Sequence, residues 1–240
     1  MADPPTAALS AEAFLAGLQA QATDEQRVKY QRYFPGDGSF IGVPMGTVFA
    51  MAKAAIAMPL PEIERLLESP IHEARAGACS IMGKAATHPK VTIDRHGDLY
   101  ELYLRRHDRI DDWDLVDLAA HQVVGTWLLE RPRDPLCQLA ASSFWPERRS
   151  AIVATAAFLK RGEVADTFAI SRRLIADPHD LVHKGAGWML RYAGEVDRPA
   201  LRAFLDEFAP SMPRTMLRYA IEKLDPETRR WYLRRGNTPD

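Results

Sequence analysis

Apolar residues recur at intervals of three and four along nearly the whole chain, in residues 7–20, 44–58, 61–67, 74–86 and 151–159, and again in 164–175, 181–193 and 199–208. That spacing places apolar side chains on one face of an α-helix. Sustained alternation of apolar and polar residues is absent, as is an Asn-Gly or Asp-Gly turn between two β-branched runs. The pattern predicts an all-α fold. Its breaks fall at 35–38 (Pro-Gly-Asp-Gly), Met58-Pro59, Ser69-Pro70, His88-Pro89, Arg131-Pro132, Asp177-Pro178 and Ala209-Pro210, several with Asp or Ser placed to cap the next helix.

Five segments start polar and become small-residue-rich amphipathic helices, opening at Ser69, Asp111, Ser143, Asp177 and Ser211, with starts 42, 32, 34 and 34 residues apart. This period fits two-helix HEAT-like units, in which each pair buries its apolar face only by stacking on neighbours. The expected architecture is a HEAT-like helical-repeat solenoid, an α-α superhelix with a concave groove. It would form a single domain over 1–240, with 1–10 and 235–240 as flexible termini. An ordinary helical bundle with coincidental spacing is the alternative.

A chain of 240 residues can bury a sizeable core, and 47% hydrophobic with 26% charged residues excludes a disordered, collagenous or membrane-spanning chain. The longest mainly apolar run, Ala151–Leu159, is far too short for a bilayer, and the opening MADPPTAALS lacks the layout of an export signal. A cytoplasmic protein is expected. The only cysteines, Cys79 and Cys137, offer neither a CxxC metal site nor a disulfide framework. The net charge of −1 hides an asymmetry: residues 1–130 hold 12 basic and 18 acidic groups, net −6, and residues 131–240 hold 19 and 14, net +5. Arg outnumbers Lys by 24 to 7, which suits phosphate recognition and is equally the mark of a GC-rich genome.

Several catalytic motifs fail. His72-Glu73-Ala74-Arg75-Ala76 is not HExxH, because Ala stands at 76; Gly185-Ala186-Gly187 follows no strand; no Ser or Cys sits in a nucleophile elbow. No metal and no cofactor are implied. What remains are charged and aromatic residues near the starts of the inner helices. Trp113 and Asp117 are four apart and share a helix face, while Leu115, Val116 and Leu118 point to the core; the alternative is a core Trp113 with Asp114 or Asp117 serving the helix dipole. Arg148 and Arg149 precede an apolar run where a helix N-terminus and two guanidinium groups could hold phosphate together. Lys184, Trp188 and Arg191 form a cation, indole, cation stripe, with Gly185 and Gly187 leaving room for a bulky partner. Arg214 and Arg218 lie one turn apart, and Tyr30 stands in an early basic run.

In order along the chain, Lys29-Tyr30-Gln31-Arg32-Tyr33-Phe34 with Phe40-Ile41-Gly42-Val43-Pro44, then Trp113 to Asp117, Arg148 to Ile152, Lys184 to Arg191 and Leu217 to Leu224, make up five motifs. On these the chain resembles the AlkD-type DNA alkylation repair glycosylases, a HEAT-like-repeat family. The resemblance implies a monofunctional glycosylase that excises cationic alkylated purines, 3-methyladenine and 7-methylguanine, from double-stranded DNA without a base-flipping pocket. It implies that Asp117 is the catalytic carboxylate and that Trp113 and Trp188 flank the lesion's sugar and backbone. Arg149 would bind phosphate and Tyr30 shape the cleft, while Arg148, Lys184, Arg191 and Arg218 would extend a basic track along the groove. The protein is expected to act as a monomer, with no metal, cofactor or membrane. One departure is Asp112, where some relatives carry a second Trp. A non-catalytic reader of DNA structure and a protein-binding scaffold are the alternatives.

Overall fold

The polar starts of the expected repeats become helix N-termini because they satisfy backbone N–H groups that the first turn leaves free. The computed structural model describes residues 9–33 and 39–235, without the side chain of Tyr33, and is all-helical; the described residues hold no strand, only a single bridge between Ser39 and Ile71. Phe34 and the Pro-Gly break at 35–38 lie outside the described residues, as do 1–8 and 236–240 of the expected flexible termini. Ser10 caps the first helix and Arg235 ends the last. The chain divides into two units, Met1–Val123 and Val124–Asp240.

The first unit runs α1 (Ala11–Ala20), α2 (Asp24–Tyr33), α3 (Met45–Ala54), α4 (Leu60–Glu68), α5 (His72–Ala86), α6 (Ile93–Arg105) and α7 (Trp113–Ala120). Ser10, Thr92 and Asp112 cap α1, α6 and α7 through side-chain oxygens. Helix α5 is the axis: fourteen of its fifteen residues are buried, and α3, α4 and α7 pack on it. A helix surrounded in this way needs small residues. Gly77 shows why, since a Cβ there would stand 2.5 Å from the Phe14 ring.

The second unit runs α8 (Asp134–Ala140), α9 (Trp145–Ala154), α10 (Ala156–Leu159), α11 (Ala165–Arg173), α12 (Asp180–Val196), α13 (Arg198–Phe208), α14 (Arg214–Ala220) and α15 (Pro226–Arg235). Its axis is α12, against which α9, α13 and α14 pack. The inner helices α5, α7, α9, α12 and α14 each begin within three residues of the five polar starts. Within the units inner helices stack on inner helices, α5 on α7, and α9 and α14 on α12, which is helical-repeat packing. No helix among the described residues is long and apolar enough to cross a membrane.

Gly187 sits where α12 meets α14, and a Cβ there would come within 2.5 Å of the Met216 carbonyl oxygen and 2.6 Å of the Tyr219 Cβ. Gly187→Ala should therefore force the two helices apart and cost about 1–3 kcal/mol, read as a lowered midpoint in urea unfolding.

Candidate functional site

In the first unit the site begins with a buried acid. Glu73, fully buried on α5, accepts N–H bonds from Ile41 (3.2 Å), Gly42 (2.8 Å) and Val43 (3.1 Å). Three donors offset the cost of burying that carboxylate and fix the approach to α3. The fixed loop then holds Tyr30. Its hydroxyl donates to the Val43 carbonyl (3.1 Å) and accepts from the Met45 N–H (3.0 Å), and burial pushes its pKa above the usual value. Tyr30 and Phe40 rings lie 5.1 Å apart, and Phe40 lies 4.5 Å from His72.

His72 is buried and its Nε2 lies 2.7 Å from Asp114 Oδ2, while Asp114 Oδ1 is buried with no hydrogen-bond partner among the described residues. Asp112 accepts the Trp113 N–H at 2.7 Å and caps α7; burial pushes its carboxyl above the usual range against that hydrogen bond. Among the described residues, His72, Asp112 and Asp114 bring donor atoms within 4.8 Å of one another, a set that could hold a metal ion. His72 and Asp114 form a hydrogen-bonded imidazole–carboxylate pair at the start of α7, with Asp112 beside it.

Trp113 and Asp117 do share one face of α7, and both border a half-open cavity of about 400 Å³ whose wall also includes Tyr30, Asp114 and the apolar Met45, Phe49 and Leu118. Trp113 is 38% exposed and Asp117 half-buried, so the indole is not a core residue. Leu115 and Val116 are buried as expected, but Leu118 is half-buried on the cavity wall. It stands one turn beyond Asp114 and shares that residue's face. A carboxylate in a largely apolar wall feels weak screening, and its attraction for a nearby cation is correspondingly strong.

In the second unit the expected cations are mostly engaged. Arg148 lies inside α9, pairs with Asp177 through Nε at 2.5 Å, and donates to the Ser142 and Ser143 carbonyls, so its donors are already committed where a phosphate clamp was expected. Arg149, 4% exposed, donates to the Leu181 carbonyl and packs against Gly185, where a Cβ would lie 3.1 Å from its Nη1. Lys184 pairs with Asp180 at 2.9 Å and Arg191 with Glu222, flanking a half-buried Trp188. Gly185 and Gly187 make room for Arg149 and α14, not for a bulky partner. Arg218 is exposed.

Glu73 and His72, dismissed in the sequence as an incomplete HExxH motif, organise the first unit's cavity. The signal available was a charged pair at the start of an otherwise small and apolar helix, which must be satisfied by something distant in sequence.

The DNA alkylation repair enzyme family model matches residues 14–224, and the chain belongs to that family. This membership supports a role in the repair of alkylated DNA. A solved structure described as a predicted DNA alkylation repair enzyme from Enterococcus faecalis has a TM-score of 0.68 and 16% identity, covering 86% of this chain and 98% of that one, which shows a shared fold. No curated protein matches the sequence.

Glu73→Gln sets an amide NH₂ among three N–H groups that all need an acceptor. It should lower stability by about 1–3 kcal/mol in denaturant unfolding, with faster amide exchange at Gly42 and Val43 as the local signature.

Proposed function

We propose that the chain is a monofunctional DNA glycosylase that hydrolyses the N-glycosidic bond of cationic alkylated purines, 3-methyladenine and 7-methylguanine, in duplex DNA, acting as a monomer without metal or cofactor. The observation that carries this reading is the pairing of Trp113 and Asp117 on one wall of an apolar, half-open cavity.

Alkylation at N3 of adenine or N7 of guanine leaves the base positively charged and already a good leaving group. Acid catalysis contributes little. As the C1′–N bond breaks, its electron pair neutralises the base and positive charge moves onto the deoxyribose. A preorganised carboxylate stabilises that oxocarbenium-like state, and water adds to C1′. In this reading Asp117 supplies the carboxylate and positions the water, and the Trp113 face adds cation–π stabilisation of ~1–2 kcal/mol. The apolar cavity wall keeps bulk water from screening Asp117. The base need not enter a pocket, because its own charge supplies selectivity. From the second unit, Trp188 would contact the damaged strand, with Arg218 as an exposed cation; Arg149 would reach a phosphate only by leaving the Leu181 carbonyl, and Arg148, Lys184 and Arg191 only by leaving their present carboxylates.

The test is release of free methylated bases from methylated duplex DNA, followed by mass spectrometry with chelator present. Wild type should release 3-methyladenine or 7-methylguanine, and Asp117→Asn should reduce the rate about 100-fold or more with DNA affinity retained. Near-full activity in Asp117→Asn would sink the mechanism, and DNA binding with no base release from wild type would identify a non-catalytic DNA reader.

Arg149→Ala should lower the salt slope of DNA binding by about 1, the loss of one phosphate contact. An unchanged slope would assign Arg149 to the packing of α9 on α12 alone.

A further inference from the structure

Helix α15 (Pro226–Arg235) lies beyond residues 14–224 that match the family, and no residue on it belongs to the site described above. It carries Arg229, Arg230, Arg234 and Arg235 against a single acid, Glu227. All four arginines are exposed, and none forms an ion pair with a described residue. This contrasts with Arg148, Lys184 and Arg191, whose charges are spent on carboxylates. A favourable interaction with the helix C-terminus accounts for Arg234 and Arg235, but not for Arg230.

Between these charges stands Trp231, 41% exposed, with the Arg235 guanidinium 4.5 Å from its ring centroid. The indole borders a cavity of about 340 Å³ lined also by Arg202, Asp206, Glu227, Thr228 and Tyr232. The platform is firmly held. Tyr232, 2% exposed, donates its hydroxyl to Asp206 Oδ1 at 2.9 Å, and Arg214 Nη1 donates to the Leu233 carbonyl at 2.7 Å. An exposed indole on an anchored helix, with exposed guanidinium groups on either side, matches a polyanion with flat rings.

We propose that α15 is a second nucleic-acid contact, in which Arg230 and Arg234 hold successive phosphates of an unpaired strand and Trp231 stacks one of its bases. Positions 230 and 234 are one turn apart and share a face. In a duplex the base faces are occupied by their neighbours, so Trp231 selects unpaired nucleotides. The Asp206 and Glu227 carboxylates around its cavity offer acceptors to a base's exocyclic amine, beside the Arg202 guanidinium. The inference rests on DNA as the partner and not on the glycosylase chemistry.

The experiment is fluorescence anisotropy of a labelled single-stranded oligonucleotide with the full chain over a salt series. Arg230→Ala with Arg234→Ala should reduce the log–log salt slope by about 1.4, two contacts at about 0.7 each. Trp231→Ala should weaken binding about 5- to 100-fold with little change of slope, while Trp231→Phe recovers most of it. Base release from methylated duplex DNA, read separately on the same α15 variants, tests the proposed chemistry, so failure here is distinct from failure of that reading. The three substituted side chains of α15 are exposed, and unchanged thermal unfolding would confirm intact variants. Wild-type affinity and slope in the variants, or loss confined to anionic lipid vesicles, would overturn the proposal.

Discussion

The geometry of the first unit depends on one buried carboxylate. Glu73 is inside the protein on the most enclosed helix, and it remains there because three consecutive backbone N–H groups, from Ile41 to Val43, converge on it. That arrangement requires an unusual backbone. Gly42 has φ +91°, and a Cβ at that position would stand 2.0 Å from the Thr23 carbonyl oxygen, so only glycine permits the loop to fold tightly against α2. Once the loop is set, the Val43 carbonyl and Met45 N–H fix the Tyr30 hydroxyl, and Tyr30 becomes a wall of the cavity that Trp113 and Asp117 share. Neighbouring His72 does the same for α7 through Asp114. One turn of α5 thus positions both sides of the cavity.

The second unit uses the opposite charge for a similar end. Arg149 is almost wholly buried, its guanidinium held by the Leu181 carbonyl and seated over Gly185, so α9 and α12 meet through a cation. Leaving such a group without an acceptor is expensive, and Gly185 lets it lie close to α12, since a Cβ there would stand 3.1 Å from Nη1 and press on the guanidinium. Arg148 repeats the logic with Asp177, which also accepts the His179 N–H at 2.8 Å next to the first turn of α12. Basic residues that look like a phosphate track in the sequence therefore divide into those that build the repeat packing and Arg218, which faces solvent; the exposed arginines of α15 lie outside that track.

This division marks the limit of what the chain shows in one dimension. Helices and repeat starts are legible because they depend on local periodicity and on capping groups within a turn, as with Ser10, Thr92 and Asp112. The shared face of Trp113 and Asp117 is legible for the same reason, whereas Leu118 was misplaced because its side chain falls on the margin of that face. Partners are not legible. Arg191 meets Glu222, Arg148 meets Asp177 and His72 meets Asp114, each separated by about thirty residues or more. Glycines are ambiguous in the same way: spacing shows that Gly185 and Gly187 share a region of α12 but not whether the room they leave is filled by a ligand or, as it is, by Arg149 and α14.

The charge asymmetry of the chain acquires a physical meaning from this distribution. The acidic first half places Asp112, Asp114 and Asp117 near one another around α7. Burial pushes the Asp112 carboxyl above its usual range, and the neighbouring charge of Asp114 pushes it the same way. A cationic species beside it relieves that repulsion; a neutral one does not. A proposed substrate that is itself cationic, and whose charge moves onto the sugar as the bond breaks, is matched to such a cluster in a way an undamaged purine is not. In the proposed reading the same acidic cluster repels DNA phosphate, so affinity for the strand comes from the basic half, where Arg218 and the arginines of α15 face solvent with no ion pair to a described residue. In the proposed chemistry, selectivity for damage and affinity for DNA then come from charges of opposite sign on different parts of the chain.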